Sequence, residues 1–237
     1  MEKFIKFINN VYEQFYQTLI EQDRYRFILE GLGKTLIIAF FAVILGVILG
    51  GLVALIRNYH EETKKAKVAN FISKLYVTII RGTPAVLQLM IIYYVIFRTV
   101  DINTILVGVI AFGINSGAYV SEIIRAGINS IDRGQKEAAD SLGLTYRETM
   151  KSIILPQAVK NVLPALSNEF ITLLKETSVA GYIGIIDLVK AADIIASGTY
   201  NYFFPLIIIA IIYLILTIGL SKLLTIFEKK VLSHARG

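Results

Sequence analysis

The sequence predicts an all-α, polytopic membrane protein with five transmembrane helices, a cytoplasmic helix–turn–helix loop and an N-terminal amphipathic helix. Three observations carry that prediction. Of 237 residues, 55% are hydrophobic and only 18% charged, and the mean hydropathy is +0.64, which is too apolar for a soluble domain. Uncharged runs of spanning length recur: residues 35–56 contain no charge, enough to cross the ~30 Å apolar core of a bilayer. Lysine and arginine gather between these runs, fourteen on one side against seven on the other if the spans alternate. That asymmetry places the C-terminus and the loop around residues 128–156 in the cytoplasm, and the N-terminus outside.

The elements follow in chain order. In residues 1–30, Phe4, Phe7, Ile8, Val11, Phe15 and Leu19 recur at spacings of three and four, one apolar face of a helix lying on the membrane surface. This N-terminus alternates charge with aromatic residues, so no cleavable signal peptide is expected. The membrane-embedded body is expected over residues 31–227. Its first span, residues 35–56, carries Ala42, Gly46, Gly50 and Ala54 on one face, a stripe that lets helix backbones approach closely. Residues 57–69 read as a basic loop. The second span, residues 71–97, is broken at Arg81-Gly82-Thr83-Pro84, where Gly and Pro predict a kink and Thr83 a cap for the second half. The third span covers residues 104–121 and the fourth residues 156–175. Residues 177–200 read as a short helix with turns, and the fifth span lies at 202–220. A basic tail, residues 228–237, closes the chain.

Between the third and fourth spans lies the polar stretch Glu137-Ala138-Ala139 to Pro156. Gly143 suits the left-handed end of one short helix, and Thr145 can N-cap a second that runs to Leu155. Pro156 then constrains the start of the next long helix. The result is a helical hairpin with a small, flat Ala-Ala face.

Composition also excludes. With no cysteine there is no disulfide framework or thiolate metal site. The net charge of +6 is spent beside apolar spans, so membrane orientation explains it and nucleic acid is not an expected partner. Gly31-Leu32-Gly33-Lys34-Thr35 imitates a phosphate-binding loop, but position 28 is Ile28 rather than glycine and no strand precedes it. The two histidines, His60 and His234, lie in a loop and the tail, so no Ser–His pair or histidine metal site can form within the membrane.

Polar residues inside apolar spans are costly and usually have a role. Asn161, Asn168 and Lys175 recur every seven residues on the fourth span, with Thr172 on the same face. Asn115 and Glu122 differ by seven on the third span, with Tyr119 between them, and Arg81 and Gln88 flank the kink of the second. Two readings stay open. In one, these faces line a shared path where Arg81 or Lys175 attracts a carboxylate and Glu122 an amino group, with the half-helix after Thr83 turning its positive end to the carboxylate. In the other, Glu122 pairs with Arg125, Lys175 snorkels to the surface, and the asparagines join helices.

The spacing from Glu137 to Pro156 resembles the EAA loop of ABC importer permeases. The flanks resemble the polar amino-acid branch: Arg81-Gly82-Thr83-Pro84, Gly117-Ala118-Tyr119-Val120-Ser121-Glu122, Leu155-Pro156-Gln157-Ala158 and Leu174-Lys175-Glu176-Thr177-Ser178, in family order over residues 27–231. The resemblance implies a permease subunit in a bacterial cytoplasmic (inner) membrane that is not itself an enzyme and needs no cofactor. It implies three partners: a cytoplasmic ABC ATPase dimer, a second permease chain, identical or homologous, and an extracytoplasmic amino-acid-binding protein. Glu137, Ala138, Ala139, Gly143 and Pro156 would then couple the spans to ATP hydrolysis. A secondary amino-acid transporter or channel is the alternative. It would need ion-coordinating clusters at mid-membrane or repeated halves, and no clear internal repeat is visible.

Overall fold

A computed structural model describes residues 1–233, and among them every regular element is a helix. The first, α1 (Glu2–Phe15), is amphipathic and buries no residue of its own. Its continuation does dock: Leu19 packs with Ile28, Leu188, Ile195 and Ile209. The turn into the next helix falls at Gln22 and Asp23, both at positive φ (61° and 54°), earlier than the expected boundary at residue 30. A single helix, α2 (Tyr25–Thr63), then runs for 39 residues, about 58 Å at ~1.5 Å per residue. The expected basic loop is therefore helical as far as Thr63, and the chain turns only at Lys64 and Ala66, both left-handed.

The expected kink is a sharp break. Helix α3 (Lys67–Arg81) and α4 (Ala85–Ile91), which ends in a wider turn to Ile96, meet at 110°. Thr83 does not cap α4: its hydroxyl donates back to the Ile79 carbonyl (2.9 Å), and extended Pro84 starts the second half. Helix α5 (Thr104–Asn129) is capped by Asn103, whose side chain accepts from the Ile105 N–H. Past the apolar span that ends at residue 121, its polar end continues as helix through Glu122 and Arg125 to Asn129. Then come α6 (Arg133–Ser141), α7 (Tyr146–Thr149) and α8 (Leu155–Glu176). The second hairpin helix does not stop at Leu155; a π-type turn at Met150–Ile154 carries it into α8, and Pro156, which has no N–H to give, follows directly after that wider turn.

A 3-10 stretch (Thr177–Ile183) leads to α9 (Leu188–Thr199) and α10 (Phe203–Ser233). The tail assigned to residues 228–237 continues α10 as far as Ser233; residues 234–237, with His234, lie outside the described residues.

The centre of the fold is the contact of α2 with α5. A β-carbon on Gly50 would fall 2.7 Å from the Gly117 carbonyl oxygen and from Val120, so the two backbones touch as the small-residue stripe predicts. Ala42 and Ala54 on the same stripe are fully buried. Above this seam, Ile38, Leu89, Phe112, Leu173 and Ile183 bring α2, α4, α5 and α8 into one apolar cluster. Helices α2, α5 and α10 are long and apolar enough to cross a membrane, and α3 with α4 make a fourth crossing if the bent pair is one span. Most of the apolar window of α5 is buried in the protein, whereas α10 buries very little.

Candidate functional site

The hairpin between α5 and α8 is built by local chemistry. Asp132 opens α6, its carboxylate accepting from the Gly134 N–H (2.6 Å). Gly143 closes it at φ +74°, with the Leu144 N–H donating to the Ala139 carbonyl and the Gly143 N–H to that of Asp140 (3.1 and 3.0 Å), the paired bonds of a glycine-terminated helix. Thr145 and Glu148 form a reciprocal capping box that starts α7. The Thr145 hydroxyl and backbone N–H hold the Glu148 carboxyl below its ordinary pKa.

The expected flat Ala-Ala face is not formed. Ala139 is buried, while Glu137, Ala138 and Leu142 point outward, Leu142 at 79% exposure. Successive residues on a helix are about 100° apart, so adjacent alanines cannot share one flat face. Exposed along α6 are Glu137 and Ala138 together with Arg133, Gln135, Asp140 and Ser141, and exposed Leu142 follows just past its end, beside the left-handed Gly143. Pro156 is also exposed.

The hairpin rests on the C-terminal turns of α2. Lys136 of α6 forms an ion pair with Glu62. The Tyr146 hydroxyl donates to Asn58 Oδ1 (2.8 Å), and its ring meets Tyr59 edge-on at 5.5 Å. A cavity of about 820 Å³ lies between the hairpin and these turns, lined by Glu61, Glu62, Lys136, Asp140 and Thr149 among others. Next to it, Arg57 pairs with Glu122, and Arg125 bridges Glu61 (2.5 Å) and Glu122 (3.4 Å). Glu122 thus meets Arg125 one turn away and, more closely, an arginine from α2. Arg57, Glu61 and Glu62 went unread as site residues in the sequence because they fall where a polar loop was expected.

The other predicted residues divide. Gln88 and Asn115 are buried and joined: Asn115 Nδ2 donates to Gln88 Oε1 (2.9 Å). Gln88 Nε2 donates to the Ile80 carbonyl and to Thr83, riveting the α3–α4 break to α5. Asn115 Oδ1 is buried without a partner among the described residues. Arg81 is exposed and lies 5.4 Å over the Tyr119 ring, a cation–π contact. On α8, Asn168 and Lys175 are exposed and Thr172 half-buried. Asn161 instead donates to Ser130 Oγ (2.9 Å). Glu169 was missed: it accepts from Ser116 Oγ (2.9 Å), tying α8 to α5 beside the Gln88–Asn115 pair. Its signal was a carboxylate within an apolar helix, and the seven-residue count from Asn161 to Asn168 passed over it.

The described residues thus form packed helices of membrane-spanning length that carry a capped polar hairpin. Residues 42–233 match the family model for the binding-protein-dependent transport system inner membrane component, and the chain belongs to that family. It is 45% identical over 208 residues to the putative glutamine transport system permease protein GlnP of Rickettsia prowazekii (strain Madrid E), covering 87% of this chain and 93% of that one. To the arginine transport system permease protein ArtQ of Bacillus subtilis (strain 168) it is 44% identical over 215 residues, 88% and 94% of the two chains. A solved structure described as an amino acid ABC transporter with histidines superposes with a TM-score of 0.78 at 46% identity, over 86% of this chain and 94% of that one. The inward-facing MetNI methionine ABC transporter shares the fold, with a TM-score of 0.70 at 18% identity, over 86% and 97%.

Proposed function

We propose that this chain is the transmembrane permease subunit of an ATP-driven ABC importer for polar amino acids. The observation that carries the reading is the match, at 46% identity over 86% of the chain, to an amino acid ABC transporter. The permease forms the path, and a separate ATPase dimer closes beneath it and pulls on the α6–α7 hairpin. A second permease chain, identical or homologous, completes the path, and an extracytoplasmic binding protein delivers the amino acid. The setting is a bacterial cytoplasmic membrane, with the hairpin and the C-terminus inside and the N-terminus outside.

Five spans are part of the proposal. Helix α8 supplies the one that composition does not: its 22 residues reach about 33 Å at ~1.5 Å per residue, and Glu169 within it is partnered by Ser116. Coupling runs through Glu137, Ala138 and Leu142 on the outward face of α6, aimed by Gly143. The substrate path uses the open face of α8, with Asn168, Thr172 and Lys175, together with the exposed Arg81.

Reconstitution with the cognate ATPase and binding protein tests the function: polar amino acids should stimulate ATP hydrolysis and be taken up only when ATP is present. Uptake driven by an ion gradient without ATP would establish a secondary transporter instead. Orientation is tested with single cysteines, since the chain has none of its own. At Thr63 and Ser141 they should be shielded from an impermeant thiol reagent outside intact cells, and at Thr99 labelled. Labelling at Ser141 from outside would overturn the topology and the coupling role together.

A further inference from the structure

The last two turns of α2 make cross-links to two different bodies. Arg57 and Glu61 bind Glu122 and Arg125 of α5, while Asn58 and Tyr59 meet Tyr146 of α7 and Glu62 binds Lys136 of α6. The helix is uninterrupted from there to Tyr25. Near its other end, a β-carbon on Gly31 would fall 2.6 Å from the Asp187 carbonyl oxygen, and the Leu188 N–H faces Thr35 Oγ1 at 3.4 Å. One rod therefore touches the hairpin at one end and the start of α9 at the other. Along the middle, the Gly50–Gly117 approach locks it to α5.

We infer that Glu62 and Lys136 are positioning residues for energy coupling: they pin α6 to α2, so a displacement of the hairpin becomes a tilt of the α2–α5 pair. The inference rests on the coupling role proposed for the hairpin. Packed helices transmit such motion as rigid bodies rather than by bending. The pin itself is half-exposed, about one third for each side chain, so it contributes little to folding. What it provides is register. Reversing one charge puts like charges together and pushes α6 away from α2, while the buried α2–α5 seam stays as it was.

The test uses the full chain with its ATPase and binding protein in proteoliposomes, with glutamine and arginine as probes. Four proteins are compared: the parent, Glu62→Lys, Lys136→Glu and the double reversal. Both single variants should still co-purify with the ATPase, yet lose amino-acid-stimulated hydrolysis by about fivefold, the lower range of measured coupling between sites. The double reversal should restore it, a recovery that a purely structural defect would not give. Glu62→Gln should show a smaller loss than Glu62→Lys, because neutralisation removes the pin without adding repulsion. Singles that match the parent, or a double reversal no better than the worse single, would overturn the pin. Ala138→Arg, on the outward face of α6, separates this from the reading beneath it. If that variant binds the ATPase like the parent, the hairpin does not dock there and the pin falls with it. If Ala138→Arg releases the ATPase while the charge reversals change nothing, only the pin falls.

Discussion

The polar residues of α5 and those of α8 follow the same seven-residue rule, yet the structure uses them in opposite ways. On α5, Asn115 and Glu122 point into the protein and find partners on α2 and α4. On α8, Asn168 and Lys175 stay exposed, while Glu169 and Asn161 bond to α5 and the turn after it. Helix α5 is covered by α2, α4 and α8, so its polar side chains turn to partners within the chain, although Asn115 Oδ1 finds none among the described residues. Helix α8 has one covered face, with Ala158, Val162, Leu173 and Leu174, and its polar row lies on the other. Seven-residue spacing says that residues share a face; it does not say what the face meets. A polar row that is already paired holds helices together, and a row left open is available to a substrate or to a second copy.

The sharpest way to break this comparison is to remove one partner from the α5 row. Glu122→Leu leaves Arg57, whose side chain is only 11% exposed, with an uncompensated charge. The chain should lose about 3 kcal/mol of stability, read as a lower thermal unfolding midpoint in detergent. Replacing Arg57 with Met in the same chain should recover most of that. A Glu122→Leu protein as stable as the parent would remove the structural role assigned to this row.

A neutral pair should matter less. Asn115→Leu takes the amide from Gln88 Oε1 and leaves it buried, a cost of about 1–2 kcal/mol. The α3–α4 break should also loosen, which hydrogen exchange at residues 80–88 would show as faster exchange. Protection unchanged from the parent would mean that Gln88 does not hold the break in place.

The hairpin provides a control that lies in neither row. Gly143→Val forces a β-branched residue to φ +74°, at about 1–2 kcal/mol of local strain. Because the turn makes no close contact at that position, the strain should re-aim α6 rather than unfold the spans. ATPase co-purification should fall while thermal stability changes little, and Gly143→Ala should be milder. Full ATPase binding by Gly143→Val would remove the turn from the coupling element.

The smallest stability effect belongs to the open row. Asn168→Leu and Lys175→Met should shift stability by no more than about 0.5 kcal/mol, as exposed substitutions usually do, while amino-acid uptake drops several-fold. Normal uptake kinetics in both variants would return α8 to a merely structural part.

What could be read in the sequence follows from the range of the forces involved. The hairpin was legible because its determinants are local: Gly143 suits positive φ, and Thr145 can cap the helix that follows. The small-residue stripe on α2 was legible because it carries its own period. Three features were not. Residues 57–63 resemble a loop by charge, and the partners that hold them on α5, α6 and α7 lie far along the chain. Thr83 precedes a proline and looks like a cap, but the 110° bend turns its hydroxyl back to the preceding helix. Ala138 and Ala139 are alike in sequence, and which one is buried depends on how α6 is rotated against α2. The first failure is one of long-range contact; the other two are partly local, since Thr83 bonds back only four residues and adjacent helical residues always sit about 100° apart.

The seam between Gly50 and Gly117 also sets a schedule for making the protein. Roughly 70 residues separate the two glycines, so a ribosome adding about 5–20 residues per second needs several seconds to deliver the second after the first. During that interval α2 sits in the bilayer with its Ala42–Gly46–Gly50–Ala54 face bare. Such a face is open to any other helix with small residues. The close approach that locks the finished protein is thus, before α5 arrives, the place where a nascent chain is most exposed to pairing with the wrong neighbour.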